Sequence, residues 1–276
     1  MTSPTWIELF PITEFALLDN FMLFVEKSPI NDFILLKYKK DSLDVPSFVS
    51  ASCSTVESYL ESQDMLFRIM VEQLRRFHPR SVIHVLTNDF SFDFKGLEIH
   101  KKPFHCDHRA KFLLYGLLDH PALYLDCDII LMRPFVLNCM SMPINLFAVT
   151  RQFDLQTISR KTLPSPANTI YNAGIVWIGS PSREMAEAVE NLHDEHFSDC
   201  DFIRSRRMWP TNDEYALSLY VRKIGVDVRL SSTINVHRNK LDNIQNAGRL
   251  QSIHYTGLHL KRAFFNDYKR LYPGAV

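Results

Sequence analysis

The sequence predicts an α/β domain built on a mostly parallel central sheet, and three observations carry that prediction. Short apolar runs alternate with longer stretches of helical periodicity, which is the pattern of βαβ units. The chain has 276 residues, 46% of them hydrophobic and 22% charged, enough to bury a large core and too apolar for general disorder. Glycine is scarce, at eight residues, and neither a low-complexity stretch nor an internal repeat marks a place to divide the chain.

Residues 1–47 mix short apolar runs with turn signals at Pro29, Asn31 and Asp32, and read as an extension packed on the domain rather than part of its sheet. The domain itself is expected over 48–276. A short apolar run from Phe48 to Ala51 reads as its first strand. Leu60, Phe67, Met70, Leu74 and Phe77 then recur at helical spacing and predict a helix from Glu57 to Phe77. Ser81 to Leu86 and Leu97 to His100 read as strands. Arg109 to Leu118 reads as a helix with Phe112, Leu113, Tyr115 and Leu117 on its face, and Ala122 to Leu125 as a buried strand. Asn145 to Val149 and Gly174 to Ile178 are further strand candidates. Arg183 to Phe197 and Asn212 to Val221 read as helices, and the last segment, His254 to Tyr272, is rich in basic and aromatic residues.

Charge and composition exclude several classes of function. Thirty-one basic residues balance thirty-one acidic ones, so no global field favours a nucleic-acid backbone. The longest apolar stretches, such as Ala122 to Leu131, are interrupted by charge and fall far short of the roughly 20 residues a spanning helix needs. The first ten residues carry Glu8 and no basic cluster, so a secretory signal is not expected. Five cysteines, an odd number without a C-x-x-C pair, suggest neither a structural zinc nor a disulfide framework, and a cytoplasmic setting is expected.

The sharpest local feature is Tyr124-Leu125-Asp126-Cys127-Asp128-Ile129-Ile130-Leu131. Two carboxylates at a strand end repel one another and need a cation or hydrogen-bond donors. A divalent metal satisfies both, and hard oxygen ligands with open positions suit Mn²⁺ or Mg²⁺. The plain alternative is that the acids cap the next turn or pair with Arg133. A second D-x-D, Asp199-Cys200-Asp201, lacks a preceding strand and is followed by Arg204, Arg206 and Arg207, so it reads as a solvated loop. Cys127 alternates away from its acidic neighbours and reads as a small buried filler. His105 and His108 flank Asp107 and read as a polar loop beside the cleft.

Four landmarks in order, between about Phe48 and Lys261, resemble glycosyltransferases of the GT-A fold. Within that fold they are similar to the retaining group that includes glycogenin and the bacterial lipopolysaccharide galactosyl- and glucosyltransferases. The first landmark is Arg109 and Lys111 leading into Asp126-Cys127-Asp128 and Arg133-Pro134-Phe135. The others are Tyr171-Asn172-Ala173-Gly174, then Asn212-Asp213-Glu214-Tyr215-Ala216-Leu217, then His254-Tyr255-Thr256-Gly257 with a lysine beyond.

The resemblance implies a single GT-A domain that moves a hexose from a UDP-sugar donor to a saccharide or lipid-linked saccharide acceptor. It implies Asp126, Asp128 and His254 as ligands of Mn²⁺ or Mg²⁺, and Arg109, Lys111, Asp126, Asn172, Ala173 and Gly257 around the donor. Asn172 and Asp213 match positions that hydrogen-bond sugar hydroxyls. Lys261 is the implied cation facing the departing diphosphate, although the family's lysine falls where Leu260 stands here, which makes Arg262 a substitute. Glu214 replaces the family's glutamine; a carboxylate is the better nucleophile, and it is expected on the sugar face opposite the leaving group. Two other readings compete. One is an inactive relative that binds a glycan or protein, and the other a haloacid-dehalogenase-like phosphohydrolase, for which the D-x-D lies too far along the chain. The basic and aromatic residues after Lys261 can lie on an anionic membrane surface or pack on the domain as a terminal helix.

Overall fold

The computed structural model describes residues 30–39, 56–104, 108–138, 140–147, 151–152, 169–197, 212–228, 231–241, 244–256 and 258–274. Its centre is a strand that the sequence reading assigned to an extension. Strand β1 (Asp32–Lys37) lies between two parallel neighbours, with Phe33, Ile34 and Leu35 fully buried. The turn signals around it concealed a run of four apolar residues, Phe33 to Leu36, which suits a strand covered on both faces. The boundary at residue 47 is therefore wrong for these residues, and residues 1–29 and the strand expected at Phe48 lie outside the described residues.

Helix α1 (Val56–Phe77) leads to β2 (Val82–Thr87) and β3 (Glu98–Lys101). A 3₁₀ helix follows over His108–Gly116, where a helix was expected from Arg109 to Leu118. Its tighter winding brings positions three apart into line, and Phe112 and Tyr115 are both buried. Next come β4 (Ala122–Leu125), β5 (Ile129–Leu131), β6 (Ile144–Leu146), the short pair β7 (Arg151–Gln152) and β8 (Thr169–Ile170), and β9 (Ile175–Ile178). Helices α2 (Arg183–Phe197) and α3 (Asn212–Lys223) precede β10 (Val236–His237), β11 (Ser252–His254) and α4 (Leu258–Leu271).

The main sheet has the order β3-β2-β1-β4-β9-β6. Strands β3, β2, β1 and β4 are parallel, and β9 runs against β4 and β6, so the sheet is mixed but mostly parallel. Alternation along each strand supplies two apolar faces. Phe33, Leu35, Leu123 and Leu125 meet Phe67, Met70 and Leu74 of α1 on one face. Ile34, Tyr124, Val176 and Ile178 meet Phe112, Tyr115, Val189, Leu217 and Val221 on the other. A smaller sheet, β10-β11-β5, packs with Phe264 and Tyr268 of α4 and with Leu66 and Ile69 of α1.

Gln73 of α1 binds β5 as a further strand would. Its amide nitrogen donates to the Ile129 carbonyl at 3.2 Å, and the Leu131 N–H donates to its oxygen at 2.7 Å. This holds the turn containing Asp126 and Asp128 between two sheets. The ladder reaches the turn from both sides: the Asp126 N–H donates to the Gly174 carbonyl, and the Tyr255 N–H to that of Asp128.

Candidate metal and donor site

Strand order reverses where β4 lies against β1, and in open α/β sheets ligands gather beyond the carboxyl ends of strands at such a point. Asp126 stands there, directly after β4. It continues the face of Ala122 and Tyr124, so it points toward the 3₁₀ helix and α3. Asp128 follows the turn and opens β5, which pairs antiparallel with β11 and sets His254 opposite Ile129. Register thus brings together three residues separated by up to 128 positions: Asp126, Asp128 and His254 each offer a ligand atom within 4.8 Å of the others.

The orientation of the imidazole is informative. His254 Nδ1 lies 2.8 Å from Asn235 Oδ1 and 3.1 Å from Asn172 Oδ1. The amide nitrogens of those two asparagines are turned elsewhere. Asn235 Nδ2 donates to Asn172 Oδ1 at 2.9 Å and to the Phe147 carbonyl, and Asn172 Nδ2 donates to Glu214 Oε1. Two oxygens facing Nδ1 require the proton there. Nε2 then faces Asp128 Oδ1, 3.1 Å away, with Asp126 Oδ2 at 3.9 Å. Either a second ring proton or a metal ion between Nε2 and the two carboxylates satisfies this arrangement. A histidine whose outer N–H is held by an oxygen is the arrangement that presents Nε2 to a metal.

Gly174 makes the arrangement possible. Its N–H donates to Asn172 Oδ1 at 3.0 Å, and a Cβ at this position would sit 2.7 Å from His254 Nδ1. Asn235 adopts φ +58, a left-handed conformation that asparagine tolerates better than most residues, and it is fully buried.

Lys111 is the cation on the other side. Its ammonium is 3.1 Å from Asp126 Oδ1 and 3.0 Å from Asp213 Oδ2 at the start of α3. Burial works against its charge, but Asp126 and Asp213 outweigh it and hold the ammonium well above the ordinary lysine range. The Tyr124 hydroxyl donates to Asp126; burial, then the Asp126 charge, push this phenol well up and keep its proton in place. The Tyr115 hydroxyl, fully buried, has no hydrogen-bond partner among the described residues, and burial followed by the Asp213 charge raises it as well.

Of the predicted site residues, the structure brings together Asp126, Asp128, His254, Lys111, Asp213, Asn172 and Glu214. The Arg109 guanidinium pairs with Asp194 on α2. The Ala173 side chain packs in the apolar core with Tyr124 and Val176. Gly257, the side chains of Lys261 and Arg262, the D-x-D at 199–201 and the His105 to Asp107 loop lie outside the described residues. Arg133 donates to the Gly248 carbonyl, so it does not serve as the partner of the acid pair. Cys127 is part-buried between two core clusters, as alternation predicts.

Sequence reasoning missed Tyr124, Asn235 and the fit of Gly174 against His254. Tyr124 was open to it, because residues two apart on a strand share a face. Asn235 carried no signal, since its place beside His254 comes only from the pairing of β10 with β11. No protein-family model matches the chain, and no match is found among curated proteins.

Proposed function

We infer that this chain is a metal-dependent glycosyltransferase of GT-A type that moves a hexose from a UDP-sugar to a saccharide or lipid-linked saccharide hydroxyl with retention of configuration. The observation that carries this reading is the convergence of Asp126, Asp128 and a His254 imidazole whose Nδ1 is held by Asn172 and Asn235. One nitrogen and two carboxylates suit Mn²⁺ better than Mg²⁺, which prefers an all-oxygen shell. When bound, the ion supplies positive charge against the diphosphate as it departs.

The chain's own residues do the rest. Lys111 bridges Asp126 and Asp213 and adds a second positive charge near the diphosphate. Asp213, held by Lys111 at the first turn of α3, is the acceptor for donor-sugar hydroxyls, the kind of contact that discriminates epimers. Asn172 has a different part from the sugar contact that resemblance implies. Its oxygen faces Gly174, Asn235 and His254 while its nitrogen donates to Glu214, so it positions the imidazole and that carboxylate. Lys261 and Arg262 are assigned to the leaving group by resemblance alone.

The test is UDP release from a panel of UDP-sugars, with Mn²⁺ or with chelator, beside Asp126→Ala/Asp128→Ala. Release that is sugar-selective, metal-dependent and lost by about a thousandfold in the variant is expected. Metal-dependent binding of UDP without any turnover, even with acceptors supplied, would indicate an inactive relative. Absence of both would end the transferase reading.

A further inference from the structure

A second convergence of ligand atoms lies at the opposite end of the sheet, where nothing in the proposed transfer reaction is required. Asp32 opens β1, His84 lies on the same face of β2, and His120 stands in the turn before β4. One ligand atom from each lies within 4.8 Å of the others. Six residues separate His120 from Asp126 along the direction of β4, a span of up to about 20 Å.

Asp32 Oδ1 is 3.0 Å from His84 Nε2 and 3.5 Å from His120 Nε2. Ligands at zinc bond lengths of about 2.05 Å in tetrahedral array stand about 3.3 Å apart, so these spacings match a site of that shape. The outer nitrogens of both rings are engaged. His120 Nδ1 is 2.8 Å from Asp119 Oδ1, and His84 Nδ1 is 3.1 Å from His100 Nε2. With His120 Nδ1 donating to Asp119, Nε2 is the ring nitrogen turned to the Asp32 carboxylate, and an ion bound there would take the place of a ring proton. A carboxylate behind a ligating histidine, as Asp119 stands behind His120, is a usual outer partner in a zinc centre. The His84 side chain is 9% exposed and that of Asp32 13%, whereas that of His120 is 45% exposed, so an ion can enter from the His120 side and keep one position for water.

We propose that Asp32, His84 and His120 form a second metal site, selective for Zn²⁺ or a similar late first-row divalent ion. Two imidazoles and one carboxylate are a softer donor set than two carboxylates and one imidazole, so the two ends of the sheet should sort metals differently. The proposal is independent of the transferase reading and can fail or hold without it.

Tag-free, chelator-stripped full-length protein is titrated with Co²⁺ and followed by visible d–d absorption, with Zn²⁺ as competitor. Asp126→Asn/Asp128→Asn protein is expected to bind one equivalent with the intense absorption of a tetrahedral centre, bleached by Zn²⁺. Exposed His120 allows a variant that keeps the core intact. His120→Ala should weaken that binding by at least about a hundredfold, and Asp119→Asn by about tenfold. If the double variant does not fold, wild-type protein and His120→Ala are compared directly, with loss of the tetrahedral signal in His120→Ala expected. Absence of a tetrahedral spectrum, or unchanged affinity in His120→Ala, overturns the proposal.

Discussion

The surroundings of His254 fix its ring in one orientation. The Asn172 and Asn235 side-chain oxygens accept from its Nδ1 and Gly174 leaves room for its ring. Gly174→Ala would push the ring from that seat while altering little apolar packing. Its expected effect is a tenfold to hundredfold loss of Mn²⁺ affinity, roughly what disturbing an outer partner costs. Calorimetric titration of folded protein measures it, and undiminished affinity would count against His254 as a ligand. Glu214 is 7% exposed and accepts a hydrogen bond from Asn172, a bond that glutamine can also accept. Glu214→Gln is therefore expected to keep turnover within about tenfold of wild type, as a positioning residue would. A loss beyond about a thousandfold, or trapping of a glycosyl adduct on wild-type Glu214, would make it the nucleophile instead.

Among the elements, β5 is the one whose stability bears most directly on the site, because the acid-bearing turn enters it. It has three residues and is held by β11 on one side and by the Gln73 side chain on the other. Gln73→Ala would strand a buried N–H at Leu131 and a buried carbonyl at Ile129. Denaturant melts should show a loss of about 2–4 kcal/mol, with Mn²⁺ binding falling in parallel. Helix α4 bears on the membrane question. Phe264 and Tyr268 are buried against the small sheet while Lys269 and Arg270 are exposed, so this helix would offer a membrane its charges and not these two aromatics. The packed form of the terminal helix fits these contacts. Among the described residues, no helix is long and apolar enough to cross a membrane.

For the whole molecule, the sharpest pH dependence expected comes from His78, at the end of α1 and away from the candidate metal sites. Its Nε2 accepts the Phe135 N–H at 3.1 Å, and its ring packs on Phe33 and Phe135. Burial lowers its pKa from 6.5 to about 4. As pH falls, the unfolded chain takes up this proton before the folded one does. The contribution is thus complete above about pH 6.5 and lost progressively down to about pH 4, a difference of about 3 kcal/mol. Urea melts at pH 7 and pH 4.5 should differ in that direction. His78→Gln, which offers an acceptor without a proton to gain, should reduce the difference, and an identical slope in the variant would remove His78 as its source.

Much of the architecture was legible as pattern. Helical spacing located α1, and the boundaries read for Arg183 to Phe197 and Ala122 to Leu125 coincide with α2 and β4. The chemical types at the site were legible too, because paired carboxylates after a buried strand demand compensation wherever they occur. Strand β1 was not, since an isolated apolar run of four residues says nothing of its neighbours until β2 and β4 are laid beside it. Nor were the pairing of Arg109 with Asp194, the hydrogen bonds that tie Asn172 to His254 and Glu214, or the two clusters at opposite ends of the sheet. By itself the sequence determined which segments are apolar, with what period, and which residues can carry a proton, a charge or a metal. The tertiary structure alone decided which of them meet. Hydrophobic burial is non-directional, whereas register and hydrogen-bond pairing between distant strands set individual atoms within a few ångströms of one another.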